Sequence, residues 1–374
     1  MGRGHIISIQ TTSERGGAEY ANVDLLSALM ERGHDVALLT NSPELAAGTN
    51  VRVRELDLGP KLGRRSAVKV ILQAPRTLLR LAFALRAERP VAAVLVHFKK
   101  EQLLCSLLPR RLTGEIVWVE WGPVPPPMRR WPARLPYSLA VRRARRILAV
   151  SKGTGDTVVS AGVPPEKVIV MPDLVNLHRV EFDAASRVQR RRSWGAGEQT
   201  LVLGCISRFQ RRKRNDVLID AMAHLDGDVL LVLAGEGDEE QALRARAAPY
   251  GKRVRFVPNV RGHVEAFLSA CDLLAFAPSP TEADRPRVIV MAQLVGLPIL
   301  ATHPEGAEVL RRPGAGTIVA PHNDPRAFAA AIAAYRDDPE RRRSEGEAAR
   351  QRILETYDPD RTLSMVEQAL GLAD

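Results

Sequence analysis

The sequence predicts an α/β chain built on two doubly wound parallel sheets, and three observations carry that prediction. Short apolar runs alternate with helix-period segments along the whole chain. The runs are almost continuously apolar, as strands covered on both faces of a parallel sheet must be. They also fall into two series, separated by polar, arginine-rich sequence near Pro172–Ser193, and 374 residues are enough for two domains of ordinary size. The first series is His5–Gln10, Val36–Thr40, Ala92–Phe98, Glu115–Trp121, Arg146–Ser151 and Val168–Met171. The second is Thr200–Ser207, Val229–Ala234, Val254–Pro258, Leu273–Ala277, Ile299–Thr302 and Thr317–Ala320.

Composition narrows the class. Hydrophobic content of 45% with 26% charged residues is that of a globular protein. Cys105, Cys205 and Cys271 are odd in number, far apart and set among apolar residues. That pattern predicts reduced core thiols rather than a disulfide framework or a metal site. No run approaches the roughly 18 apolar residues of a membrane span. MGRGHIISIQ enters a strand directly, without a signal-peptide core, so a cytoplasmic protein is expected. Net charge is +11, and only 8 of the 54 basic residues are lysine, a bias that a genome rich in G and C also produces. A basic protein attracts phosphates. Zinc-type Cys/His spacings are missing and aromatics make up 5%, so nucleic acid is not an expected partner.

In the first half, strand His5–Gln10 leads through TTSERGGAEY into a helix over Ala18–Arg32. Val23, Leu25, Leu26, Leu29 and Met30 give that helix its buried side, and Gly33 its stop. Gly16 and Gly17 permit a tight turn and close approach of backbone to a ligand. Lys61–Arg89 mixes arginine and lysine with Leu, Ile, Val and Ala, and Pro75 divides it into two helices or ends the first. It reads either as ordinary packing helices or as an interfacial surface facing anionic lipid. EIVWVEWGPVPPP, Glu115–Pro127, sets Glu120 at a strand end beside aromatic rings, where a carboxylate can serve as a base or simply cap the next loop. His97, ending the preceding strand, is the other polar group there.

In the second half, Arg208 and Lys213 stand five residues apart in the loop after strand Thr200–Ser207, before a helix over Asp216–Ala223. Arginine forks across phosphate oxygens and lysine adds a compact charge, although Arg211, Arg212 and Arg214 make a plain solvated loop an equal reading. The stretch LLAFAPSPTEADRPRVIVMAQLVGLP, Leu273–Pro298, is a strand, a proline-broken turn carrying Glu282, and a helix to about Val295 with Pro286 in its first turn. The amides of Arg287 and Val288 should then sit at the carboxyl edge of the sheet, where anions bind. A surface loop between packing elements is the alternative.

These segments resemble the family 4 retaining glycosyltransferases, whose GT-B fold places two Rossmann-like domains about an interdomain cleft. Glu282, Ala292, Gln293, Gly296 and Pro298 match that family's donor-sugar segment, but Met291 stands where the family has a second Glu for the nucleotide ribose, and the loop after Glu282 is one residue longer. Gly16, Gly17 and Glu19 resemble its G-G-x-E opening. Ser151, Asp156, Gly162, Val163, Pro164, Lys167, Val168, Val170, Pro172 and Val175 fall into register with its long central motif. Arg208 and Lys213 match R-x-x-x-x-K, with Arg214 in place of the usual glycine, and LLVLAGEGDEEQALRA resembles its A-G-[DE]-G turn.

The resemblance implies an acceptor-side domain over 1–175, joined by a C-terminal helix of about 358–374, and a nucleotide-sugar domain over 176–357. It implies that Arg208 and Lys213 hold the donor diphosphate, that Gly16 and Gly17 approach it, and that Val260 frames the nucleobase. Glu282 would bind the sugar hydroxyls, and Glu120 would serve the acceptor side where many relatives carry His. The activity it implies is metal-independent, cofactor-free retaining transfer from a nucleotide-sugar to a glycan, lipid-linked or natural-product acceptor. Met291 and Arg214 leave open a GT-B-like partner subunit that has lost turnover.

Overall fold

The computed structural model describes residues 4–12, 16–63, 66–171, 180–258, 260, 263–279, 287–302, 317–319, 323–356 and 358–372. The chain divides into two compact units, Met1–Leu174 with Pro359–Asp374, and Val175–Asp358.

The first unit holds strands β1 (His5–Gln10), β2 (Asp35–Thr40), β3 (Arg52–Glu55), β4 (Ala93–Val96), β5 (Glu115–Glu120), β6 (Ala144–Ala149) and β7 (Val168–Val170). They pair in parallel in the order β3-β2-β1-β4-β5-β6-β7. The second holds β8 (Leu201–Ile206), β9 (Val229–Ala234), β10 (Val254–Val257), β11 (Leu273–Phe276), β12 (Ile299–Thr302) and β13 (Thr317–Val319). These are also parallel, in the order β10-β9-β8-β11-β12-β13. Both sheets are doubly wound, as the alternation of apolar runs predicts. In each, strand order reverses beside the unit's first strand, between β1 and β4 and between β8 and β11.

The continuous apolar strands follow from burial on both faces. Ile7, Ile9, Val94, Val96 and Trp118 join the core layer on one side of the first sheet. Ile6, Val36, Leu38, Leu95 and Val117 join the layer on the other. The helix Gly17–Glu31 buries Val23, Leu25, Leu26 and Leu29, while Met30 is only partly buried. Gly33, at φ 90°, turns the chain out of it. Cys105, Cys205 and Cys271 are free and buried, with burial pushing all three thiols up, Cys205 to about 12.

Three expectations need correction. Strand β3 has no counterpart in the apolar pattern: RVRE contains no apolar run, because it is an edge strand with three of its four residues exposed. Strand β6 is shifted two residues toward the N-terminus of the predicted run, taking in Ala144 and Arg145 and ending at Ala149, with a register irregularity against β5 at Ile116/Val117. Pro75 neither divides nor ends a helix, for one helix runs unbroken over Ala67–Ala87 with Pro75 inside it. The missing N–H removes a single ladder bond from a long helix anchored through Thr77, Leu81 and Leu85.

The last helix, Pro359–Leu370, belongs to the first unit, where Leu363, Val366, Ala369 and Leu370 enter the core layer that contains Ile6. Its polar anchor is Glu367, 3% exposed, which accepts from Arg32 Nη1 at 2.7 Å and pairs with His34 Nε2 at 3.0 Å. Arg32 also pairs with Asp360 at 2.8 Å. Removing Glu367 would leave buried His34 without its carboxylate, while half-buried Arg32 would keep Asp360, so Glu367→Ala should cost about 2 kcal/mol. Denaturant unfolding followed by circular dichroism checks this, and an unchanged midpoint would show the helix held by its apolar face alone.

Candidate functional site

A reversal of strand order leaves a crevice at the carboxyl edge of a sheet, because the loops leaving the two central strands turn to opposite faces. In the second unit the loops there follow β8 and β11. The first carries Arg208 and Lys213, both partly buried, whereas Arg211 and Arg212 are exposed. The two loops are tied by backbone: Ser279 N–H donates to Arg212 O at 2.9 Å. Lys213 Nζ lies 5.7 Å from the Phe276 ring centroid at the end of β11. The structure therefore brings the basic pair to the start of the loop that holds Glu282. Glu282 itself, like Pro286, lies outside the described residues.

The shape of the basic loop is set from beneath. The turn after β9 presses Gly235 and Gly237 against it, with Phe209 N–H donating to Glu236 O at 2.9 Å and Glu239 N–H to Phe209 O at 3.0 Å. A Cβ on Gly235 would stand 2.0 Å from Ser207 O, and one on Gly237 2.4 Å from Phe209 O, so only glycine fits this contact. Asn215, 3% exposed, accepts from Ser207 Oγ at 3.0 Å. Arg214 has φ 51°, the one left-handed residue other than glycine among the described residues. Its guanidinium bonds Asp216 (3.1 Å from both Nε and Nη2) and Asn323 (2.5 Å), which hold the backbone where glycine would rest unaided.

Arg287 and Val288 form the first described turn of the helix Arg287–Val295, which follows β11 and so begins at this same edge. Val260, 8% exposed, lies beyond the outer strand β10, and its carbonyl accepts from His263 N–H at 2.9 Å. Met291 is partly buried against the core layer that contains Phe276.

In the first unit the crevice lies between the loops after β1 and β4. Gly16 N–H donates to Glu19 Oε2 at 2.9 Å, which secures the start of the helix Gly17–Glu31. Gly17 has no left-handed φ, and a Cβ placed on it would meet no atom within 4 Å, so the chain's own packing does not require glycine there. Glu120 is 3% exposed at the end of β5. Its Oε1 accepts from Lys99 Nζ, Gln102 Nε2 (3.1 Å) and Tyr137 OH (3.4 Å). Burial pulls the Lys99 ammonium down, with Glu120 opposing the shift. The side chain is thus held by donors from two helices, Lys99–Leu107 and Arg134–Val141.

His97, 4% exposed, is fully partnered. Trp121 Nε1 donates to its Nδ1 at 2.9 Å, so Nε2 carries the proton and donates to Ser8 Oγ at 2.8 Å. Ser8 and Asn22 continue the chain to Gln10, which accepts from Asn22 Nδ2 at 2.6 Å. Burial pushes the imidazole down to about 3. Alongside, Lys100 Nζ donates to the carbonyls of Leu58 (3.1 Å), Gly59 (2.7 Å) and Pro60 (3.1 Å), and Thr11 donates to Glu101. Burial raises the Glu101 carboxyl against the pull of Lys100 and Thr11. Lys99 and Lys100 escape a reading of the sequence alone, although two adjacent lysines after a strand, in a chain with 8, are a usable signal.

Residues 15–179 match the family model described as Glycosyltransferase Family 4, and residues 186–352 the model described as Glycosyl transferases group 1. A D-inositol 3-phosphate glycosyltransferase of Geodermatophilus obscurus is 32% identical over 46% of this chain, and the match spans 41% of that relative's length. A D-inositol 3-phosphate glycosyltransferase of Kineococcus radiotolerans is 26% identical, over 91% of this chain and 87% of its own. Among solved structures, Anabaena Alr3699/HepE in complex with UDP and glucose matches with a TM-score of 0.84 at 20% identity, covering 99% of this chain and 100% of that one.

The His97 geometry makes a pH prediction. The folded ring titrates near 3 against an ordinary 6.5, so the unfolded chain takes up a proton that the native state refuses. The stability that this ring contributes is complete above pH 6.5 and is lost as pH falls toward 3, by at most about 1.4 kcal/mol per pH unit. Nitrogen NMR at pH 5 should show a neutral Nε2–H tautomer, and His97→Gln should flatten this part of the stability profile. A ring titrating near 6.5 would contradict the assignment.

Proposed function

We propose that this chain, which belongs to the family 4 glycosyltransferases and has their GT-B fold, transfers a sugar from a nucleotide-sugar to an acceptor hydroxyl, retaining anomeric configuration and using no metal ion. One observation carries the reading: Arg208 and Lys213 sit at the switch point of the second sheet, in a loop bonded through Arg212 O to the loop that leads to Glu282.

In this reading the acceptor oxygen bonds the anomeric carbon as that carbon's bond to the diphosphate breaks, and the hydroxyl proton passes to the departing phosphate. Negative charge grows on the diphosphate, and Arg208 and Lys213 meet it with a fork and a compact cation. The amides of Arg287 and Val288 add the positive end of a helix. Glu282 binds the sugar hydroxyls, and the backbone of Val260 lies beside the base. Gly16 and Gly17 admit close approach of the ligand, which fits a Gly17 that internal packing does not require. Glu120 serves the acceptor side by fixing Lys99 and Tyr137. The acceptor is a glycan, a lipid-linked molecule or a small natural product, and the names of the curated relatives add D-inositol 3-phosphate to these candidates. UDP, bound in the Anabaena structure, is the first nucleotide to try. Because Arg214 keeps a glycine-like backbone, its presence gives little support to a subunit without turnover, and that alternative rests on Met291.

Arg208→Ala and Lys213→Ala should each lower donor turnover about a hundredfold or more, the effect of ~3 kcal/mol of lost charge stabilisation. Sugar release from a panel of nucleotide-sugars, measured with and without a chelator, tests both the pair and metal independence. Near-normal turnover in two well-folded variants would remove these residues from the site.

Met291 cannot accept hydrogen bonds from ribose hydroxyls as a carboxylate does. A ribose left unpartnered is penalised by about 1–3 kcal/mol, and a deoxyribose loses less. Relative to family members with the second Glu, dTDP should therefore compete better against UDP as an inhibitor. Met291→Glu should shift the balance toward UDP, whereas equal effects on both nucleotides would refute the idea.

A further inference from the structure

We infer that the outer face of the helical layer in the first unit docks on an anionic lipid bilayer. On the helix Ala67–Ala87, Thr77, Leu81 and Leu85 are buried, yet Val68, Ile71, Leu72, Leu79 and Phe83 are 61–77% exposed. At 3.6 residues per turn these five occupy an arc of roughly 120°, turned away from the packed stripe. A helix whose only task was to cover the sheet would carry polar residues there. Lys69, Arg76 and Arg80 run along one edge of the apolar arc, and no Asp or Glu lies between Asp57 and Glu88.

A second element repeats the arrangement. Trp131 is 83% exposed, and Leu135 and Leu139 follow it at helical spacing on the outside, while Tyr137 and Val141 point inward. Arg129, Arg130, Arg134 and Arg142 accompany them, and residues 121–155 contain no acidic side chain. Both elements cover the same side of the first sheet, since Leu81, Leu85, Tyr137 and Val141 share one core layer. The helix Lys99–Leu107 packs against both and adds exposed Leu107. Nine of the fourteen exposed large apolar side chains among the described residues belong to this one layer, too many for scattered surface residues.

Charge decides the occupant. Apolar side chains among arginines match the boundary between acyl chains and acidic headgroups, where each cation near the surface adds attraction. A second copy of the chain would set this basic face against another basic face. None of the described helices is long and apolar enough to cross a membrane, so the face would lie on a bilayer rather than span it. The inference is independent of the proposed sugar transfer.

The test is co-sedimentation with phosphatidylcholine vesicles containing about 30% phosphatidylglycerol. The protein should bind these at low salt, leave pure phosphatidylcholine unbound, and be released by about 0.5 M salt. Tryptophan emission should shift to the blue on binding, and the shift should shrink in Trp131→Phe. Combining Ile71→Glu, Leu72→Glu and Phe83→Glu on exposed positions should leave thermal unfolding intact while lowering vesicle affinity at least about tenfold. Three results would overturn the inference: no binding to the acidic vesicles at low salt, equal binding by the triple variant, or a dimer in ultracentrifugation that the triple variant abolishes.

Discussion

The reversal of strand order in each sheet is the constraint on which the rest of this chain depends. Parallel pairing sends every strand's carboxyl end to one edge, and the reversal parts the two central loops there. At that parting the first unit places Gly16, Gly17 and the residues from His97 to Glu101, and the second places Arg208, Lys213 and the loop beginning Pro278–Ser279. A parting of loops is also a place with little packing, so each unit secures it with polar contacts. In the second unit the work falls to backbone: the Gly235–Gly237 turn clasps Ser207–Phe209, and Ser279 joins Arg212. In the first it falls to buried charge, with Lys99 on Glu120 and Lys100 on three carbonyls.

That difference has an energetic side. A buried ammonium is tolerated only when its donors are all engaged, and breaking a buried pair costs several times what an exposed pair contributes. The first unit's crevice is thus lined by groups that cannot be removed singly without leaving a partner uncompensated. The basic loop of the second unit is more exposed, and its cations are held by a turn rather than by deep burial. Cations in such a setting can turn toward an anionic ligand without first being drawn out of a core.

Most of the architecture is legible in the sequence because parallel strands carry a strong signal. His5–Gln10, Val229–Ala234 and Ile299–Thr302 match their predicted runs end to end, since burial on both faces keeps these strands mostly apolar, with buried Ser8, Gln10 and Thr302 as exceptions. RVRE is missed for the converse reason: an edge strand need not be apolar, and its pairing depends on its neighbour rather than on its own letters. Pro75 misleads because a local rule about one N–H says nothing of how the whole helix is anchored. At the candidate site, the sequence puts Arg208 and Lys213 in the loop after a strand, but their spacing alone does not distinguish a phosphate-binding pair from a solvated basic loop. The partners of Glu120 are not legible either, for Gln102 and Tyr137 reach it across helices that no periodicity relates. The outward turn of Trp131, Leu135 and Leu139 is equally hidden, because an apolar residue at helical spacing looks the same whether it faces core or solvent.

Arg214 bears on how such a loop can change over generations. Its left-handed backbone disfavours any side chain, and the guanidinium offsets that cost through Asp216 and Asn323. The three positions therefore form one heritable unit. A lineage can step from arginine to glycine here in a single substitution, since glycine needs no support. The return step costs least in a chain that already carries Asp216 and Asn323, because their bonds offset the roughly 1–2 kcal/mol of a left-handed side-chain-bearing residue. An arginine and a glycine can thus give this loop the same backbone path, an interchange that sequence similarity alone would score as a loss.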